Sequence, residues 1–107
     1  MGQVKDEIMA TVRRSIEILK SNNINIKKAY LFGSYASGSE HDWSDIDLAL
    51  ISDDFSEDRY SERIRVMKIT SEVDNRIEPV PYNSNQFTDI DPLVWEIKNN
   101  GIEIRIN

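Results

Sequence analysis

The run Ile46-Asp47-Leu48-Ala49-Leu50-Ile51 constrains the fold more than any other segment. Successive residues of a strand face opposite ways. Ile46, Leu48 and Leu50 would therefore line one face, and Ala49 and Ile51 the other. Both faces are apolar, so the strand must be covered on both sides. The exception is its mouth, where Asp45 and Asp47 stand two residues apart and share a face.

The segments around this strand have periods of their own. Ile8, Val12, Ile16 and Leu19 recur at helical spacing and predict an amphipathic first helix, ended by the polar Ser21, Asn22 and Asn23. Residues 27–32 read as a short strand closed by Gly33. Residues 34–37 leave room for a turn or two of helix before Gly38. Residues 38–44 read as loop and residues 45–52 as the second strand. A long helix is predicted over 56–73, opened by Ser56, Glu57 and Asp58, with Tyr60, Ile64, Met67 and Val73 as its apolar face. Residues 75–82 read as a third strand, and Pro79 and Pro81, which lack N–H donors, make it an edge strand or one that ends early.

A last helix is marked by Asp91 as its cap, Pro92 at its first position and Gly101 at its end. Ile102, Ile104 and Ile106 then alternate with charged residues, the pattern of a half-exposed strand. The order α-β-α-β-α-β-α-β predicts an α/β (α+β) fold. It would be one domain over 1–107, a small sheet of about four strands with helices on one face and the strand order open.

Charge and composition exclude several function classes. The net charge of -6 argues against a nucleic-acid reader, which carries a basic patch for phosphates, and against a membrane surface. With no cysteine there is neither a disulfide framework nor a thiolate metal site. Charges interrupt the apolar positions of the N-terminus, so it does not read as a signal peptide, and no apolar run approaches the roughly 18 residues of a membrane span. The expectation is a soluble, cytoplasmic, acidic domain.

Two carboxylates at the end of a dry strand repel each other and resist desolvation. A divalent cation relieves both costs, and carboxylates are the ligands that Mg²⁺ and Mn²⁺ prefer. Glu78, inside the third strand, is the candidate for a third ligand. If its strand neighbours that of Asp45, it completes a site for two ions that clamp an in-line phosphoryl displacement. The alternative is a loop-strand turn in which the aspartates accept local N–H bonds. An EF-hand does not fit, because Ala49 and Leu50 stand where another Asp or Asn and a glycine are needed.

Gly33 and Ser34 form the second constellation. A glycine lets backbone approach a ligand closely, and the free N–H groups of a helix start bind phosphate. Ser34 would either cap the short helix or donate its hydroxyl to a phosphate oxygen. A P-loop is absent.

Gly33-Ser34, ten residues, then Asp45-Ile46-Asp47, followed by an apolar strand and a later strand carrying Glu78, resembles the pattern of the DNA polymerase β nucleotidyltransferase superfamily. The whole chain is similar to the minimal nucleotidyltransferases, including the final Ile97 to Ile106. The resemblance implies a mixed sheet with packed helices. It also implies that Gly33 and Ser34 hold the triphosphate of ATP while Asp45, Asp47 and Glu78 bind two Mg²⁺ ions, with Mn²⁺ as the alternative. The family often has Asp at the third position, where this chain has Glu78 followed by Pro79.

The chain is too short for the extra domains with which larger relatives select base and acceptor. The acceptor would then be brought by another protein or by a second copy of this one. Minimal nucleotidyltransferases pair with toxins of the HEPN class, and the resemblance implies an antitoxin that transfers AMP to a tyrosine of such a toxin. Two alternatives stay open: a non-catalytic antitoxin that masks its partner, and an enzyme acting on a small molecule.

The remaining residues read more plainly. His41 lies in a polar loop as a solvated residue, and Trp43 would stack on a base, face a partner or join a small apolar cluster under the loop. Trp95 reads as core or partner contact. Arg59, Arg63 and Arg65 form a basic stripe on the long helix, paired with Glu57 and Glu62.

Overall fold

The computed structural model describes residues 4–106. Its elements, in order, are α1 (Asp6–Ser21), β1 (Lys28–Phe32), α2 (Ser34–Ser37), β2 (Ile46–Ile51), α3 (Arg59–Thr70), β3 (Ile77–Tyr82), a 3-10 turn (Ser84–Gln86), α4 (Pro92–Asn100) and β4 (Ile102–Ile104). The four strands form one sheet in the order β3-β2-β1-β4. β1 runs antiparallel to both β2 and β4, and β2 runs parallel to β3, so the sheet is mixed. The α3 segment is the crossover that a parallel pair needs.

β2 is an inner strand, and each of its two apolar faces is covered. Ile46, Leu48 and Leu50 join Ala29, Leu31, Ile77 and Ile104 in a core with Ile8, Val12 and Leu19 of α1 and Val66 of α3. On the opposite face Ala49 and Ile51 join Tyr30 and Tyr82 under Val94 and Ile97 of α4. Phe87 completes that second layer, with ring centroids 5.5 Å from Tyr30 and 5.2 Å from Tyr82. Helices therefore cover both faces of the sheet, not one. Ala49 and Ile51 leave no polar side for solvent, and α4 supplies the cover.

β3 is an edge strand, in keeping with Pro79 and Pro81. The last helix is bounded as its sequence predicts. The Leu93 N–H donates to Asp91 Oδ1 at 2.9 Å, Pro92 opens the first turn, and the Gly101 N–H donates to the Ile97 carbonyl at 2.8 Å. Among the described residues, no helix is long and apolar enough to cross a membrane.

The long helix departs from expectation. It begins at Arg59, after Asp58 caps it by accepting the Ser61 N–H at 3.2 Å. Its buried positions are Glu62, Val66 and Thr70, whereas Tyr60 is 78% and Ile64 42% exposed. A carboxylate on the inward face misled the apolar pattern. Glu62 is tolerated there because its oxygens accept the Ser56 N–H at 2.8 Å and the Arg65 Nε–H at 2.9 Å. Those bonds, with the Arg65 charge, hold its carboxyl below the ordinary glutamate range despite its burial.

The rotated face has a direct test in equilibrium unfolding. Glu62→Ala orphans two donors and should cost about 1–3 kcal/mol. Ile64→Ala should stay within about 0.5 kcal/mol of wild type. The reverse ranking would place Ile64 on the buried side.

Candidate functional site

The turn that ends β1 brings the two sequence constellations together. Phe32 pairs with Asp47 at the end of the β1-β2 ladder, so Gly33 leaves the sheet beside the Asp47 side chain. Gly33 has φ +75° and ψ -145°, a backbone conformation that residues with a Cβ rarely adopt. A Cβ built there would also overlap the Asp47 carboxylate. The glycine thus serves two ends: it makes the turn and leaves the aspartate its place.

Ser34 is the first residue of α2, and the cap position is Gly33, which makes no side-chain capping bond. Ser34 is therefore not the N-cap, and it stands half-buried in the first position of the helix. A shallow depression of about 230 Å³, lined by Phe32, Gly33, Ser37, Glu96 and Asn100, opens beside it.

Asp47 pairs in parallel register with Glu78 of β3. Strand alternation puts both on the face that carries Tyr82 and, further along β2, Ala49 and Ile51. Asp45 stands one residue before β2 and is exposed, while Asp47 is half-buried. A tight loop delivers Asp45: the buried Ser44 accepts the His41 N–H at 2.8 Å, and the Ser44 N–H returns to the His41 carbonyl at 3.0 Å.

The electrostatics bear out the cost of this grouping. Burial first, then the negative charges of Asp45 and Glu78, push the Asp47 carboxyl above the ordinary aspartate range. Other loop aspartates behave differently. Asp54, Asp58, Asp74 and Asp91 each accept a backbone N–H. No such bond reaches Asp45 or Asp47 among the described residues, which counts against the turn-only reading.

Glu78 is adjacent in register but its head group is turned elsewhere. Its Oε1 accepts a bond from the Arg63 guanidinium of α3 at 2.8 Å. Accordingly, no three acidic or histidine side chains among the described residues are closed into a metal-binding geometry. The donor set nevertheless fits a divalent cation. Three carboxylates share one end of the sheet, one of them resists ionisation because of its burial and then the charges of the other two, and the cradle at Gly33 is kept open.

Arg63 is the site-associated residue that sequence reasoning missed. Only Arg65 pairs with Glu62 as the stripe predicts, at 2.7 Å. Arg59 instead lies 4.2 Å from the Tyr82 ring centroid and 3.8 Å from Asp91. Partners 15 residues apart leave no helical spacing to read. Trp43 is 85% exposed and Trp95 51%, which removes Trp95 from the core. His41 is exposed too, with Nδ1 3.4 Å from the Trp43 nitrogen.

Two substitutions test this geometry by stability alone. Gly33→Ala meets both the strained backbone and the Asp47 carboxylate, and should destabilise by about 1–3 kcal/mol in denaturant unfolding. Asp47 holds its proton more tightly in the folded chain than in the unfolded one. Stability therefore falls as pH rises from the ordinary aspartate range through the folded-state value. Asp47→Asn should accordingly melt higher than wild type at neutral pH in the absence of divalent metal. The gain should fade as pH drops from the raised folded-state value toward about 4, below which the wild-type carboxyl is protonated in both states. A lower melting temperature for Asp47→Asn at neutral pH would contradict the repulsion.

Comparison with known proteins agrees with the fold. Residues 14–106 match the family described as Polymerase beta, Nucleotidyltransferase. The protein adenylyltransferase MntA of Shewanella oneidensis is 33% identical over 69 residues. That match covers 64% of this chain and 49% of MntA, so the chain aligns with about half the length of that curated relative. A toxin-antitoxin crystallised with AMP-PNP superposes with a TM-score of 0.65 at 24% identity, over 92% of this chain and 73% of that one. An MntA-HpeT toxin-antitoxin carrying a tyrosine-to-alanine substitution gives a TM-score of 0.63 at 25% identity, over 90% and 72% of the respective chains. By its family match, its mixed four-stranded sheet and its glycine-serine turn set against an aspartate pair, this chain belongs to the polymerase β nucleotidyltransferase family.

Proposed function

We propose that this chain is a nucleotidyltransferase that moves AMP from ATP onto a hydroxyl of a protein partner, a tyrosine of a HEPN-type toxin, with release of pyrophosphate, and so acts as an antitoxin. The observation that carries the reading is the contact between the turn and the acids. Asp47 lies against Gly33 and stands in register with Glu78, so phosphate-binding backbone and cation-binding carboxylates share one surface.

In this reading Gly33 and Ser34 hold the triphosphate through backbone N–H groups and the serine hydroxyl. Asp45, Asp47 and Glu78 hold two Mg²⁺ ions, or Mn²⁺ in their place. When bound, the ions neutralise charge on the attacking and leaving oxygens of an in-line displacement. Glu78, on the edge strand of the sheet, is the acid assigned to take the acceptor proton. His41 has no part in this scheme.

The choice of AMP and of a protein acceptor draws on the relatives. One is a protein adenylyltransferase, and several of the similar structures are toxin-antitoxins, one with AMP-PNP. The acidic surface, with a net charge of -6, supports a protein acceptor over a nucleic acid.

The test is to incubate the chain with labelled ATP, Mg²⁺ and its toxin partner, and to locate the label on the partner. Wild type should label a tyrosine. Asp45→Asn and Asp47→Asn should reduce labelling to background while keeping a cooperative melting transition. If both variants still neutralise the partner in cells as well as wild type does, the masking antitoxin replaces the enzyme.

A further inference from the structure

We propose that Arg63 is an electrostatic latch on the third carboxylate: it holds Glu78 in the absence of divalent metal and must release it for the metal site to close. The inference rests on the reading of Asp45, Asp47 and Glu78 as metal ligands and adds to it a residue outside the recognised motif.

The geometry is specific. Asp47 and Glu78 face the same way from neighbouring strands, so their charges are side by side. Arg63 reaches from α3, the helix that links those strands, and donates to Glu78 Oε1 at 2.8 Å. The other arginines nearby are held by other groups. Arg59 sits by Asp91 and the Tyr82 ring, Arg65 by Glu62 and Arg76 by Asp74. Arg63 is thus the cation matched to this acid cluster.

A guanidinium and a divalent cation compete for Glu78 in two ways. They bid for the same carboxylate oxygen, and they repel each other across a few ångströms. Both effects have the same sign, so the ion pair weakens metal binding. The pair is also breakable, because the side chains are 48% and 35% exposed and such pairs are worth little in water. A latch of this strength sets a threshold of metal concentration and does not abolish binding.

Binding of Mn²⁺ alone, followed by loss of the free-ion electron paramagnetic resonance signal, provides the test without any measurement of activity. Arg63→Gln should bind Mn²⁺ about 2- to 5-fold more tightly than wild type. Arg63→Lys, which keeps a charge but not the fork, should fall between the two. Lys68→Gln removes one charge from the same helix without touching Glu78, and should change affinity much less. Equal affinities for Arg63→Gln and wild type, or equal gains in Arg63→Gln and Lys68→Gln, would overturn the latch while leaving the metal site intact. Weaker binding by Arg63→Gln would also overturn it, making Arg63 a residue that positions Glu78 for the metal. If wild type and Asp47→Asn bind Mn²⁺ alike, the ligand assignment itself fails, and the latch with it.

Discussion

Asp47 occupies the point where three constraints of the sheet meet, and the rest of the site is arranged around its carboxylate. Phe32 lies opposite it on one neighbouring strand and Glu78 on the other. Its own strand is apolar on both faces from Leu48 onward, so layers packed on both sides of the sheet hold β2 in its register. A one-residue slip would exchange the two faces of β2, turning Asp47 toward the layer of Leu31 and Val66 and away from its neighbour Glu78. The packing that stabilises the fold is therefore the same packing that aims the acid.

The acid is held in an unfavourable setting. Burial and two neighbouring carboxylates oppose its ionisation, and the adjacent turn keeps Gly33 in a conformation that costs most residues strain. Neither feature helps the chain fold. On the proposed reading a divalent cation would supply the positive charge that the carboxylates lack, and would offset the repulsion between them and a phosphate group on the turn. The core layers on the two sides of the sheet, with Leu48 on one and Ala49 on the other, hold these groups in place. Arg63 is a provisional partner for one of the acids, drawn from a helix that packs on the same edge strand.

How much of this was legible in the sequence differs from element to element. The caps of the last helix were readable because Asp91, Pro92 and Gly101 act locally. The edge position of β3 followed from prolines that cannot donate. The inward face of α3 was not readable, since Glu62 is an acid buried by bonds to Ser56 and Arg65, and periodicity counts acids as solvent-facing. The cover on the second face of the sheet was implied by Ala49 and Ile51, yet only the tertiary fold shows that α4 provides it. In the site, residue types and spacing pointed to Gly33, Ser34, Asp45, Asp47 and Glu78. The register between strands, the contact of Gly33 with Asp47 and the Arg63 pair are long-range facts that one strand's sequence does not hold.

The chain belongs to the polymerase β nucleotidyltransferase family, and we propose that its turn and its acids serve one bound nucleotide. The most direct measurement is a crystal structure with a non-hydrolysable ATP analogue and Mn²⁺, the metal located by its anomalous scattering. The account predicts Mn²⁺ bridging Asp45 and Asp47, the phosphates on Gly33 and Ser34, and Glu78 turned from Arg63 toward the metal. Anomalous peaks away from these carboxylates, or a nucleotide whose phosphates lie off the Gly33-Ser34 turn, would contradict it.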